Sequence, residues 1–407
     1  MPLRYFFQIR FLAGLVLLSA NSMLFASPTL NNYMQKVWEN NPSIQAIEAS
    51  VKAAKARKQA SDQPIYNPEM GLELERSDVN TLSFGVSQSV DWGNKRTASS
   101  EKSDAEIQIA IAELNIQRYT LAEEVLNTLV SLETTFQLQN LAQQRVALME
   151  EFSINTEKRQ AAGDVGLQDV ALAQVALSEA KMQLAHNQAQ QAKNEAIIQS
   201  VSSLFVNEWP TLVKEPPALV PLNNIDEYID KLPIIIALKA NVAASKSNIT
   251  LSKAQRKADP NFGVKAGMDD GNPLLGFSFS MPLNIRNNYR AEVEVANLET
   301  MQQQQLLLAE IQRSRAHING AFRRYSLTYA AWQSWKKTGT ASLKKQMNLI
   351  QTIWKSGEMS TSDYLVQAKQ NVDAQETAVE LSAEMWTAWI EWLSVSGQIE
   401  QWIKQTN

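Results

Sequence analysis

Leu82-Ser83-Phe84-Gly85-Val86-Ser87 recurs 193 residues later as Leu275-Gly276-Phe277-Ser278-Phe279-Ser280. Both stretches alternate large apolar residues with Gly or Ser, the period of a β-strand with one apolar and one small or polar face. Each has a companion just upstream. Met70, Leu72 and Leu74 oppose Glu69, Gly71, Glu73 and Glu75, and Phe262, Val264, Ala266 and Met268 oppose Asn261, Gly263, Lys265 and Gly267. Four strands are expected, at about 68–76, 82–91, 261–269 and 274–283. Each is long enough to cross a bilayer as a tilted stave. Two readings of the apolar face stay open at this point: a small soluble sheet with one buried face, or a barrel wall that is apolar outside and polar inside.

Outward from the strands, the whole chain is duplicated. Asn41-Pro42 answers Leu232-Pro233, Asn67-Pro68 answers Asp259-Pro260, and Gly163 with Asp169 answers Gly357 with Asp363. The repeats are 27–203 and 231–398, joined by a connector at 204–230 with Pro210, Pro216, Pro217 and Pro221 and followed by a tail at 399–407. Each repeat reads helix–strand–strand–long helix–helix. The long helices are expected at about 97–162 and 291–356, with return helices at 168–204 and 362–395. From Thr97 to Ala162 there is neither Gly nor Pro, enough for a helix of about 100 Å. Ile107, Ile111, Leu114, Leu121, Val125, Leu129, Leu132 and Phe136 form a coiled-coil-type stripe along it. Gly320 and Gly339 are expected to kink or weaken the second long helix.

Residues 1–26 read as a secretory signal, with Arg4 and Arg10 before the apolar run Phe11–Leu18 and cleavage after Ala26. Export points to the periplasm or outer membrane of a Gram-negative bacterium. The chain has no Cys, two His (His186 and His317) and 12 dispersed Met. Disulfides, thiol nucleophiles, local metal motifs and His-based acid–base chemistry are therefore not expected: no catalytic residue, no cofactor, no metal, no enzyme. The net charge of −4, with no basic patch, excludes nucleic acid as a partner. Glu69, Glu73, Glu75 and Asp91 are expected to face a barrel lumen or its rim, and Trp92 and Tyr66 the membrane interface. A barrel of four strands cannot close, so a membrane reading demands oligomers: eight strands from two copies or twelve from three.

Several motifs carry a family resemblance over essentially the whole mature chain. They are Asn67-Pro68-Glu69-Met70-Gly71-Leu72-Glu73-Leu74-Glu75, then Gln88-Ser89-Val90-Asp91-Trp92-Gly93-Asn94-Lys95-Arg96, then Ala162-Gly163-Asp164-Val165-Gly166-Leu167-Gln168-Asp169, and Ser356-Gly357-Glu358-Met359-Ser360-Thr361-Ser362-Asp363. The chain resembles the TolC family of outer-membrane efflux ducts, and within it the CzcC/CusC-type heavy-metal branch. The resemblance implies a mainly α fold with a small membrane β-barrel part: a homotrimer with a 12-stranded barrel, a 12-helix coiled-coil tube and an equatorial belt. It implies a passive exit duct in outer-membrane lipid, with a periplasmic adaptor and an inner-membrane pump, RND-type, as partners. The helix-hairpin tips that meet the adaptor would be Gly163, Val165, Gly166 and Leu167, and Gly357, Met359, Ser360 and Thr361. Asp169, Asp363 and Trp354 would line the periplasmic aperture. Drug efflux, type I secretion and a periplasmic coiled-coil scaffold are the alternative functions.

Overall fold

A computed structural model describes residues 29–76, 78, 80–205, 209–212, 215–219 and 224–406. The signal segment and several connector positions lie outside the described residues. The order is α1 (Leu30–Asn40), α2 (Pro42–Ser61), β1 (Glu69–Arg76), β2 (Asn80–Ser89), α3 (Lys95–Ala161), α4 (Leu167–Ser202), α5 (Ile225–Lys231), α6 (Pro233–Gln255), β3 (Asn261–Asp269), β4 (Asn272–Ser280), α7 (Arg290–Lys355), α8 (Thr361–Val395) and α9 (Ile399–Gln405).

The strands form one antiparallel sheet in the order β1-β2-β3-β4. The hydrophobic alternation fixes the register. Leu72 pairs with Phe84, Phe84 with Ala266, and Ala266 with Leu275, so one face is apolar across all four strands. That face is bare: Met70 is 75% exposed and Phe277 81% exposed. Asp270 and Gly271, both at positive φ, make the two-residue turn between β3 and β4. β4 stops at Ser280, short of the expected 283, because its partner β3 begins at Asn261, directly after Pro260.

α3 is 67 residues long. Its start gives Asp91, expected at the lumen or its rim, a structural task at the end of the sheet. The Asp91 carboxylate accepts hydrogen bonds from the backbone N–H of Lys95 (2.8 Å) and Arg96 (2.9 Å) and so caps the helix. Gly320 and Gly339 do not interrupt α7, which is continuous over 66 residues. Gly339 is needed for space: a Cβ there would lie 2.4 Å from Cε3 of Trp335, whose indole folds back over the helix.

The helices form a layer. α3 packs against α2, α4, α6 and α8, and α7 packs against α6 and α8. Within the stripe of α3, Leu121, Val125, Leu129 and Leu132 are buried. The largest core is a belt at mid-height. There α1, α5 and α9 pack on the long helices through Met34, Trp389, Trp392 and Trp402, and the Tyr325 hydroxyl donates to the Pro217 carbonyl at 2.7 Å. The tryptophans of α8 are thus packing residues, as their helical spacing suggests.

Gly339→Ala should lower thermal stability in the presence of Trp335. In a Trp335→Ala background the same change should stabilise by up to about 1 kcal/mol through helix propensity. Melting curves of the four proteins check this reversal of sign.

Candidate functional site

The two helix hairpins end in homologous turns. Gly163 (φ +82°) closes the first and Gly357 (φ +80°) the second, each in the left-handed region that Gly adopts without steric cost. Gly166 has a different task. Its φ is −86° and ψ 169°, extended values open to any residue, and it serves as the N-cap of α4. Ser360 holds the same place before α8 and caps it with its hydroxyl, which accepts from the Asp363 N–H at 3.1 Å. The second Gly of the first tip and the Ser of the second therefore hold the same N-cap position, but only Ser360 supplies a side-chain acceptor.

Asp169 and Asp363 complete those caps. The Asp169 carboxylate accepts from the Gly166 N–H at 3.0 Å, and the Asp363 carboxylate from the Ser360 hydroxyl at 2.6 Å. Both acids thus have a local structural job in the first turn of a helix. Leu167 is 74% exposed at the first tip. Val165 and Met359 are half-buried, Ser360 is exposed and Thr361 is buried.

Trp354 does not stand at an aperture. It is 2% exposed and stacks on Tyr364 with ring centroids 4.6 Å apart and planes 18° apart, with Phe152 at 5.2 Å. The expected constriction aromatic is instead the centre of a small core that ties the ends of α3, α7 and α8 together.

Two charged constellations escaped the sequence reading. Arg145 on α3 has a largely buried side chain, and its guanidinium lies 3.8–3.9 Å from carboxylates of Glu179 on α4 and of Asp373 and Glu376 on α8. Burial pushes the Glu376 carboxyl above its usual range despite Arg145. Arg145 is the only charged residue between Glu133 and Glu150, a signal that an isolated cation in a packed stretch is kept for a partner. The second lies where sheet and helices meet. Asp259 accepts from the Tyr66 hydroxyl at 2.5 Å and from Lys95 Nζ at 2.6 Å. Burial alone would raise the Asp259 pKa. The bonds from Lys95 and Tyr66, with the Lys95 charge, outweigh it and hold the carboxyl below its ordinary value. The same bond, with burial, lifts Tyr66 to about 12. Asp259 precedes β3, whereas Tyr66 and Lys95 flank β1 and β2, so this junction locks the two repeats together. Tyr66 is thus a junction residue.

On the polar face of the sheet, Lys265 Nζ pairs with Glu73 Oε2 at 2.7 Å, and the Ser83 hydroxyl donates to the same oxygen. Among the described residues no group of His, Cys, Asp and Glu is placed to hold a metal ion, and no helix is long and apolar enough to cross a membrane.

Residues 33–202, the first repeat, match the family model described as outer membrane efflux protein. No curated protein matches the chain in sequence. Among solved structures, the fold is similar to that of the outer-membrane channel OprN (TM-score 0.78, 16% identity, 91% of this chain and 90% of that one). It is also similar to CusC (TM-score 0.78, 12% identity, 92% and 95%) and to the open state of the Neisseria gonorrhoeae MtrE outer membrane channel (TM-score 0.74, 16% identity, 91% and 89%). Both repeats share the fold of these outer-membrane channels.

Gly163→Ala and Gly357→Ala should each cost about 1–2 kcal/mol, the price of a left-handed non-Gly residue, while Gly166→Ala should cost far less. Thermal unfolding ranks the three. The junction adds a pH dependence. The Asp259 share of stability is present above its ordinary value of 3.8 and is lost as pH falls through its lower folded value. The Tyr66 share is present below 10 and is lost as pH rises towards about 12. Tyr66→Phe should flatten the alkaline arm of a plot of melting temperature against pH and weaken the acid arm, because Asp259 loses one of the two bonds that lower its pKa but keeps Lys95.

Proposed function

We propose that this chain is the outer-membrane exit duct of a tripartite efflux system, acting as a homotrimer. The observation that carries the reading is the sheet: four strands with one continuous bare apolar face and unpaired outer edges on β1 and β4. In hydrocarbon every backbone N–H and C=O must be paired, so such a sheet is stable only when closed. Three copies supply twelve strands, a barrel size within the known range. The polar face then becomes the lumen.

The helices support the same closure. On α7, the outermost helix of the layer, Val295, Leu298, Met301, Leu306, Leu308, Leu327 and Leu349 are exposed. The opposite edge, formed by α2 and α4, is a different surface. Joining α7 of one subunit to that edge of the next is a head-to-tail contact, which closes into a ring. Helices near 100 Å then make a tube that continues the barrel through the periplasm. Its far end carries the two turns, with Gly163, Val165, Gly166, Leu167, Gly357, Met359, Ser360 and Thr361 as the docking surface for a periplasmic adaptor. That adaptor links the duct to an inner-membrane pump of the RND type. Asp169 and Asp363, repeated around the axis, place carboxylates near the inner mouth.

The duct does no covalent chemistry. It provides a closed aqueous path, and the pump supplies the energy. Heavy-metal cations are the proposed cargo, on the strength of the motifs at 67–75 and 88–96.

Detergent extraction of outer membranes should yield a heat-modifiable trimer, whereas release as a monomer by osmotic shock would overturn the duct. Gly166→Ile should leave the trimer intact and abolish export, since a Cβ there makes only ordinary contacts within the chain, with Asp169 Oδ2 at 3.7 Å and Gln168 N at 3.9 Å, and the rest of the added side chain meets a docking partner. A deletion strain should lose metal tolerance. Unchanged metal tolerance beside lost drug tolerance would replace metal by drug cargo.

A further inference from the structure

One row of the sheet is unlike the rest. Gly71 pairs with Gly85, Gly85 with Lys265 and Lys265 with Gly276, so a single lysine lies between glycines across all four strands. The glycines make room for it to lie down. A Cβ on Gly276 would sit 3.0 Å from Lys265 Cγ and 3.3 Å from its Cε, and a Cβ on Gly85 would sit 3.2 Å from Lys265 Cβ. Glu73 leans across Ser83 to meet it, and Nζ and Oε2 are 2.7 Å apart. By the alternation of the strands, the same face carries the acids Glu69, Glu73, Glu75 and Asp269. Lys265 is its only cation among the described residues.

We propose that Lys265 is a selectivity-determining residue of the duct: it offsets an otherwise acidic barrel lumen and so limits how strongly that lumen favours cations over anions. This rests on the reading of the polar face as the lumen of a duct. Four acids and one lysine leave each subunit's face negative, and three subunits close those faces around one aqueous bore of low-dielectric wall, where fixed charges act on passing ions at short range. A flexible lysine standing upright would narrow the bore. Held flat against the glycine row, it changes the charge of the wall and leaves the opening wide.

The absence of native cysteine allows a direct test. Ser278 pairs with Gly263 and lies diagonally across from Lys265 on the same face, at roughly 7–8 Å. Ser278→Cys, in the full chain in whole cells, is labelled from outside with a cationic (trimethylammonioethyl) and an anionic (sulfonatoethyl) methanethiosulfonate. The readout is the ratio of their rates, which reports the local potential whatever the state of the distant periplasmic end. Lys265→Gln should raise the cationic-to-anionic ratio about two- to fivefold, as expected for one charge at this separation with partial screening. Glu73→Gln should lower it by a similar factor, and the double variant should return it to the parent value. A purely structural role for the pair predicts no such compensation. Labelling with an unchanged ratio in all three variants would overturn the role of Lys265. An intact trimer in which neither reagent reaches Cys at 278 would overturn the lumen assignment, and with it the duct reading itself.

Discussion

The structure turns on the hydrogen bonds that β1 and β4 do not make within one chain. A four-stranded sheet has two free edges, and its apolar face is bare along its whole length. Water can satisfy a free edge but not a bare apolar face, and lipid can cover that face but not the edge. Neither solvent suits the single chain. A closed barrel of several chains in a bilayer would meet both demands, which is why the proposed duct is an oligomer. In the proposed barrel of twelve staves the inner side chains would crowd one another, which suits the glycines and serines of the other face.

The helical layer has to obey the geometry that the sheet imposes. β2 runs into α3 and β4 into α7, so each pair of strands launches one long helix. Each joint turns on a non-Gly residue at positive φ, Asn94 before α3 and Tyr289 before α7. The first is secured by charge and hydrogen bonding: Asp91 caps α3, while Asp259 binds Tyr66 and Lys95. The two repeats meet in that second cluster. A change of angle between the halves would break a nearly buried ion pair, which is costly when a partner is removed. Lower down, the Arg145 cluster ties α3 and α4 to α8 with looser contacts of 3.8–3.9 Å. The tight junction sits near the sheet and the looser one nearer the tips.

The sequence was most legible where a period governs. The four strands, both long helices and their turns lie within a few residues of expectation, because alternation and the absence of Gly and Pro speak locally. Contacts between distant segments were not legible. Nothing local distinguishes Asp91 as a helix cap from Asp91 as the last strand residue, since the difference is whether the strand ends two residues earlier, at Ser89. Trp354 was assigned to an aperture from its place near a tip, yet Phe152 and Tyr364, one of them 202 residues away in sequence, bury it. Gly339 looked like a breaker, and its reason is an indole four positions earlier.

Duplication followed by divergence explains why the two tips differ. The turn residue that needs positive φ is Gly in both, because backbone sterics allow little else. The N-cap needs only an extended backbone, which both Gly166 and Ser360 adopt, and Ser360 adds a side-chain acceptor. The acid three residues on is retained in both because it completes the cap. The positions with no backbone constraint have drifted furthest: exposed Leu167 answers buried Thr361. In a closed trimer this sets two kinds of hairpin end in alternation, six turns in all. A docking partner would then meet backbone geometry that repeats at every turn and side chains that repeat only at every second one. Recognition of one tip over the other must therefore come from the drifted side chains, and the glycines, shared by both, supply the shape that either tip needs.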